Sequence, residues 1–151
     1  MSNSLFIQKT IDYIQVEFIN AEAGHDWQHI KRVWTNALHI AQFEQVNNLV
    51  VELAALLHDI ADSKFHQGDE TIGPKKAREF LESIHVDENI IQHVVLIIQH
   101  ISFKGGNFNL EFTSPELQVV QDADRLDAIG AIGIARAFHY GGFKNREIFN
   151  P

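Results

Sequence analysis

The segment from about 49 to 62, LVVELAALLHDIAD, is apolar on nearly every side until its last turn. A helix with apolar residues all round lies in the middle of a bundle rather than on its surface. This segment nevertheless ends by setting His58 and Asp59 side by side. Ionised carboxylates are rarely buried unless they are paired or bind a metal ion, so the pattern predicts a partner for this doublet elsewhere in the chain.

The rest of the chain predicts further helices around this one. Apolar residues recur at spacings of three and four in five other segments. These predicted helices lie at 5–19, from near 26, from a first turn that contains Pro74 to about 84, at 87–101 and from 114 onwards. The β-branched residues of 87–101 are also compatible with a strand, but the length of the segment favours a helix. We therefore expect an all-α bundle of about six to seven helices that forms one domain over 1–151.

Short polar stretches indicate where these helices begin and end. Asp26, Asn48 and Ser114 are each suited to cap a helix N-terminus. The last helix is expected to run through Gly130, either continuously or with a break there. The tail GGFKNREIFNP is expected to be irregular.

Composition limits the classes of function. Twenty acidic against twelve basic residues give a net charge of −8, which argues against a protein that coats nucleic acid. The chain has no cysteine, which excludes disulfides, thiolate nucleophiles and cysteine-ligated metals. Nothing resembles a signal peptide, and no apolar run approaches the roughly 20 residues of a membrane span. We therefore expect a cytoplasmic protein with neither nucleic-acid nor membrane partners.

Potential metal ligands occur in four places, and the nine histidines are a high count for a chain of this length. The four are His25 and His29 in GHDWQHIKRV, the His58–Asp59 doublet, His93 and His100 two turns apart in 87–101, and Asp122, Asp124 and Asp127 in QDADRLDA. Each alone is also compatible with ordinary surface or capping residues. A bundle can bring three of the motifs, on different helices, to one interior point. Two imidazoles and two carboxylates there suit Mn²⁺, Fe²⁺ or Mg²⁺ better than a structural zinc ion.

The order of these motifs resembles the HD superfamily of metal-dependent phosphohydrolases, in which a His precedes a His-Asp doublet and a distant Asp. The resemblance covers nearly the whole chain. It is carried by four segments: GHDWQHIKRV, LAALLHDIADSKFH, IIQHISF and DADRLDAIGAIGIARAF. It implies one divalent ion, Mn²⁺ first, with Mg²⁺, Fe²⁺ or Co²⁺ as alternatives. The implied ligands are His29, His58, Asp59 and Asp124, with Asp127 as the alternative last ligand.

The resemblance is closest to a small bacterial subgroup, some members of which resemble nucleoside triphosphate pyrophosphohydrolases. It implies that the chain binds a small phosphorylated substrate, a nucleotide, and cleaves a nucleoside triphosphate to monophosphate and pyrophosphate. A nucleotide phosphomonoesterase and a non-catalytic nucleotide-sensing HD module are the alternatives, followed by a di-iron variant that uses His93 and His100. The sequence leaves open the native metal, the base preference and the oligomeric state, for which a homodimer is one option.

Five further residues are predicted to act at the site. Asp62, one turn after His58, is expected to orient or deprotonate the attacking water, and Lys64 is expected to hold a phosphate. The residues expected to contact substrate are His25, His100 and Lys104. Solvated surface side chains are the alternative for each of them.

Two expectations concern the C-terminal part of the chain. Arg125 is expected to pair with an acidic residue. The basic group of Arg136, Lys144 and Arg146 is expected to be solvated, with phosphate binding as the alternative. Members of the resembled family extend beyond REIFNP, so a natural chain that continues past Pro151 is one alternative. A missing segment there could remove one wall of the pocket.

Overall fold

The computed structural model describes residues 2–19, 26–61, 69–101 and 112–148. Within these ranges it has seven α-helices and no strand. The helices are α1 (Asn3–Glu17), α2 (Trp27–Ala41), α3 (Asn48–Leu57), α4 (Ile72–Ser83), α5 (Glu88–His100), α6 (Pro115–Leu126) and α7 (Gly130–Phe143). The predicted all-α fold is confirmed.

Helix α3 is the centre of the bundle. All of its residues except Asn48 and Glu52 are buried, and it packs against α1, α2, α5 and α6. Those neighbours contribute fully buried side chains that include Ile14, Ile30 and Ile97. Burying a side chain of this size stabilises the fold by about 1.5–3 kcal/mol, so the core fixes α3 and the residues that follow its C-terminus.

Both ends of α3 differ from the prediction. The N-cap is Asn47 rather than Asn48, because the Asn47 side chain accepts hydrogen bonds from the N–H groups of Leu49 and Val50 at 3.1 and 3.4 Å. The helix ends at Leu57, and the N–H of Ile60 bonds back only three residues, to Leu57 O. The prediction of a helix to residue 62 was wrong, since apolar periodicity identifies the buried face but not the residue at which helical hydrogen bonding stops.

The predicted last helix is divided into α6 and α7. Gly130 begins α7 with a φ of 67°, a conformation that glycine adopts without steric cost, and the predicted alternative of a break there is confirmed. Gly133 lies so close to the preceding turn that a Cβ atom would collide with the Ala128 carbonyl group. Helix α7 then continues to Phe143, so the first residues of the tail predicted to be irregular are helical.

Caps set the start of the helices that surround α3. Asp26 accepts a hydrogen bond from the His29 N–H at 2.9 Å, and Ser114 Oγ accepts one from the Leu117 N–H at 3.1 Å, which confirms both predicted caps. Helix α4 begins at Ile72 and ends at Ser83, so Pro74 lies in its first turn, as predicted. In the part of the chain that the structure describes, no helix has the length and apolar composition needed to cross a membrane.

Candidate metal centre

Three helices bring the predicted ligands together. His29 lies in the first turn of α2, His58 and Asp59 lie in the turn that follows α3, and Asp124 lies in the last turn of α6. Helix α2 packs against both α3 and α6. The start of α2 therefore meets the C-terminal ends of the other two helices, although the residues are far apart in the sequence.

The four side chains point towards one location. His29 Nε2 lies 3.3 Å from Asp59 Oδ2 and 3.5 Å from Asp124 Oδ1. His58 Nε2 lies 3.5 and 3.7 Å from the same two oxygen atoms. In His29, His58 and Asp59, one potential ligand atom of each lies within 4.8 Å of the other two. Two imidazole nitrogens and two carboxylate oxygens at these distances could hold a divalent ion.

The imidazoles and the carboxylates differ in exposure. The side chains of His29 and His58 are each 1% exposed, whereas those of Asp59 and Asp124 are 20% and 37% exposed. The imidazoles thus form the buried floor of the site, and the carboxylates form its solvent-facing side. A substrate would approach from the side of the carboxylates.

The buried imidazole of His58 shows that a cation fits this set of residues. Its Nδ1 donates a hydrogen bond to the Ala55 carbonyl at 2.9 Å, so a neutral ring carries a lone pair on Nε2. Within the described ranges, this buried Nε2 atom has no hydrogen-bond partner. A buried polar atom without a partner costs about 1–3 kcal/mol, and a metal ion at the centre would satisfy it.

Electrostatics also favour a positive charge at the centre. Burial alone would lower the pKa of His58, but the carboxylates of Asp59 and Asp124 outweigh this effect and raise its pKa to about 9. A proton on His58 supplies the positive charge when no cation is bound. Because a metal ligand must be deprotonated, a metal ion and this proton compete for the site.

Asp127 lies on the opposite side of His29 from Asp124. Its Oδ2 accepts a hydrogen bond from His29 Nδ1 at 2.7 Å. Arg32 donates to Oδ1 at 2.6 Å and to Oδ2 at 3.0 Å, and Arg136 donates to Oδ2 at 2.9 Å. Burial alone would raise the pKa of the Asp127 carboxyl, but the hydrogen bonds from Arg32 and His29 outweigh burial and hold its pKa below the usual value.

Sequence reasoning missed the two arginines behind His29. The expectation that Arg136 is a solvated charge was wrong, because its guanidinium binds the Asp127 side chain and, at 3.1 Å, the Asp127 carbonyl. Arg32 lies one turn after His29 in the same motif, which is a weak signal, but nothing in one sequence links it to a residue 95 positions away. The expected pairing of Arg125 is confirmed by its contact with Asp122 at 3.7 Å.

The two histidines of α5 share a face, as predicted, and both rings lie against the ring of Phe112. The distance between ring centroids is 5.8 Å for His93 and 5.5 Å for His100. His93 Nε2 contacts Ser114 Oγ at 2.9 Å and lies 3.5 Å from a Glu116 oxygen, so it is engaged with the start of α6. His100 Nδ1 donates to the Leu96 carbonyl at 2.8 Å. The role of His100 in substrate binding stays a prediction.

Four of the predicted catalytic and substrate-binding residues lie outside the described residues. They are His25, Asp62, Lys64 and Lys104. Their roles also stay predictions.

Comparison with known proteins identifies the family. The HD domain family matches residues 26–129. Over 138 residues the chain is 37% identical to Bacillus subtilis YpgQ, a match that covers 91% of this chain and 67% of YpgQ. A solved HD-superfamily hydrolase from Bacillus thuringiensis is 41% identical, with a TM-score of 0.76 and coverage of 99% of this chain and 72% of that one.

A structure of YpgQ in complex with ADP is 35% identical to this chain, with a TM-score of 0.76 and coverage of 96% of this chain and 72% of that one. The region matched by the family contains α2, α3 and α6 and all four convergent side chains. The order of the motifs, the helical bundle and these matches agree, and the chain belongs to the HD-domain family of metal-dependent hydrolases.

Proposed function

We propose that this chain, as one HD domain over 1–151, is a phosphohydrolase that cleaves nucleoside triphosphates to monophosphate and pyrophosphate. Its proposed metal ligands are His29, His58, Asp59 and Asp124. The observation that carries the proposal is the buried His58 Nε2, which faces two carboxylates and a second imidazole and has no hydrogen-bond partner among the described residues. The large majority of buried side-chain polar atoms have a hydrogen-bond partner, so an atom of this kind calls for a ligand or a proton at the centre.

The proposed cofactor is one divalent ion, with Mn²⁺ as the first choice and Mg²⁺, Fe²⁺ or Co²⁺ as alternatives. Mixed imidazole and carboxylate ligands suit these ions. When bound, such an ion polarises a phosphate oxygen and makes a water molecule more acidic. The protein contributes two imidazoles with fixed orientations and two carboxylates on the open side of the site.

Residues around the proposed centre would handle the proton and the phosphates. Asp62 is proposed to accept the proton of the attacking water, and Lys64 is proposed to bind a phosphate. His25, His100 and Lys104 are proposed to contact the substrate. Because His100 Nδ1 already donates to Leu96 O, Nε2 is the ring atom that His100 would offer.

The choice of a nucleotide is supported by the ADP complex of YpgQ. A bound diphosphate is compatible with both a pyrophosphohydrolase and a phosphomonoesterase. The choice between them rests on the subgroup that the sequence resembles and on Lys64, His100 and Lys104, which we propose as the groups that bind the β- and γ-phosphates. A phosphomonoesterase would need only one phosphate-binding position beside the ion.

The position of the cut can be measured directly. The purified protein is loaded with Mn²⁺ and given nucleoside mono-, di- and triphosphates in oxygen-18 water, while pyrophosphate and orthophosphate are followed separately. Equal amounts of monophosphate and pyrophosphate, with the label in the monophosphate, are expected for attack at the α-phosphorus. Orthophosphate released from monophosphates, with triphosphates inert, would instead establish the phosphomonoesterase.

A pair of variants on α6 provides the matched control. Asp124→Ala is expected to abolish metal binding and hydrolysis, because it removes a proposed ligand. Asp122→Ala is expected to keep both, since the Asp122 side chain is 65% exposed and pairs with Arg125. A metal-loaded wild-type protein that hydrolyses no phosphate compound would favour the nucleotide-sensing module.

A further inference from the structure

A buried carboxylate and two arginines lie behind His29, on the side away from the proposed metal ion. We propose that Asp127, held by Arg32 and Arg136, is a positioning residue that keeps the proton of neutral His29 on Nδ1 and so presents the Nε2 lone pair to the centre. The consequence for metal affinity rests on the proposed function. The tautomer itself does not, and it can be observed without any metal.

The hydrogen bonds of Asp127 determine the direction of its bond to His29. Three N–H groups donate to its two oxygen atoms, two from Arg32 and one from Arg136, and the Nδ1 atom of His29 lies 2.7 Å from Oδ2. The arginines can only donate, so the carboxyl group is an ionised acceptor. An imidazole nitrogen 2.7 Å from an ionised oxygen must carry a hydrogen, which places the lone pair of a neutral His29 on Nε2.

The burial of Asp127 makes this arrangement rigid. The residue is 3% exposed, and its partners come from the first two turns of α2 and from the middle of α7. His29 and Arg32 are one helical turn apart, so both reach the same carboxylate from one face of α2. A bidentate guanidinium fixes the plane of the carboxylate as well as its charge. The orientation of the His29 ring is therefore fixed by groups that do not face the proposed ion.

The rival explanation is that Asp127 only joins three helices through salt bridges. Both explanations predict that the fold is less stable without Asp127. Only the positioning role predicts a change in the tautomer of His29. Neutral histidine in water favours the proton on Nε2, so His29 without its carboxylate partner should revert towards that form.

The test is nitrogen-15 NMR of histidine-labelled, metal-free protein at alkaline pH, where the chemical shifts of the two ring nitrogens identify the tautomer. Wild-type His29 is expected to carry its proton on Nδ1. Asp127→Asn is expected to shift His29 towards the Nε2–H form, because an amide of the same size must turn an N–H group towards some of the donors. Asp127→Glu is expected to restore part of the wild-type tautomer, and Asp122→Asn is the matched control on α6.

Metal affinity provides the second measurement. Competition with a chelator for Mn²⁺ is expected to show affinity about 10–100-fold lower in Asp127→Asn, as is typical when an outer partner of a metal-bound histidine is removed. Asp122→Asn should leave both the tautomer and the affinity unchanged. A variant that is less stable but has the wild-type tautomer and affinity would overturn the proposal in favour of a packing role.

Wild-type protein alone can also decide the question if the variants fail to fold. A wild-type His29 with its proton on Nε2 would overturn the positioning role outright. A wild-type His29 with its proton on Nδ1 in a protein that binds no divalent ion would support the positioning role and would overturn the proposed metal-dependent function instead.

Discussion

The two imidazoles of the site reach the same orientation in different ways. His58 is held by a backbone carbonyl three residues before it, whereas His29 is held by a side chain 98 residues after it. Both contacts place a hydrogen on Nδ1 and leave Nε2 facing the two carboxylates. One half of the site is thus specified by the local end of α3, and the other half by the packing of α2, α6 and α7.

The difference shows which half of the site can be altered by substitution. No side-chain change removes the Ala55 carbonyl, so the orientation of His58 survives as long as α3 ends where it does. The orientation of His29 depends on Asp127, Arg32 and Arg136, and each of these can be replaced. Distant substitutions should therefore affect the His29 half far more than the His58 half.

Removing either imidazole should have the largest effect. His29→Ala and His58→Ala are each expected to lower Mn²⁺ affinity by more than about 10³-fold, which exceeds the 10–100-fold loss typical of an outer partner. His39→Ala is the matched control, because His39 lies on α2 with His29 but packs against Phe43. Equilibrium dialysis with Mn²⁺ measures all three. Retention of wild-type affinity by His58→Ala would contradict the proposed ligand set.

In metal-free protein, the contributions of His58 and Asp127 to the unfolding free energy should be lost at opposite ends of the pH range. The pKa of His58 is raised to about 9, so its contribution to stability is complete below its ordinary pKa near 6.5 and is lost as the pH rises through 9. A shift of this size corresponds to about 3 kcal/mol of unfolding free energy. The pKa of Asp127 is lowered, so its contribution is present above about pH 4 and is lost as the pH falls further.

Urea unfolding of chelator-treated protein measures the acidic loss between pH 2 and pH 5 and the alkaline loss between pH 6 and pH 10. His58→Gln should remove the alkaline loss and keep the acidic one. Saturating Mn²⁺ should also flatten the alkaline loss, because the ion replaces the proton. An unfolding free energy of wild-type protein that is constant from pH 6.5 to pH 9.5 would show that the carboxylates do not hold a proton on His58.

Replacing one arginine should have a smaller effect. Arg32→Met and Arg136→Met each leave Asp127 with the other guanidinium, so each is expected to lower the unfolding free energy by about 1–3 kcal/mol, the range for hydrogen bonds to charged groups. Each of these two variants should lose less Mn²⁺ affinity than Asp127→Asn does. Arg78→Met is the control, since Arg78 is about as exposed as Arg32 but pairs with Glu82 and Glu88 at the surface. An equal loss in Arg78→Met would argue against a special role for the contacts of Arg32 and Arg136 with Asp127.

Much of the fold could be predicted because its causes are local. The apolar periodicity of 49–62 identified the central helix, and Asp26 and Ser114 capped the helices they were expected to cap. The boundary at Leu57 could not be predicted in the same way, because the turn at His58 does not interrupt the apolar pattern. The start of α7 at Gly130 was left open, because a glycine permits a break without requiring one.

The candidate site could be predicted only in part, because part of it depends on tertiary packing rather than on local sequence. Four residues in the sequence have side chains that commonly bind metal ions and occur in a recognisable order: His29, His58, Asp59 and Asp124. The structure brings them together. Asp127 has the same chemistry as Asp124 and lies one turn later, so the sequence could not distinguish their positions. The distinction depends on which nitrogen of His29 each carboxylate faces, which is a property of tertiary packing.

The proposed ligand set places two imidazole nitrogens on one ion, and pulsed electron paramagnetic resonance of Mn²⁺-loaded protein detects such nitrogens. Histidine labelled with nitrogen-15 in the wild-type protein should give hyperfine couplings from two directly bound nitrogens at one Mn²⁺ per chain. The His39→Ala protein should give the same spectrum. A stoichiometric Mn²⁺ signal without any histidine coupling would rule out this ligand set, because the ion would then be bound at a site that His29 and His58 do not form.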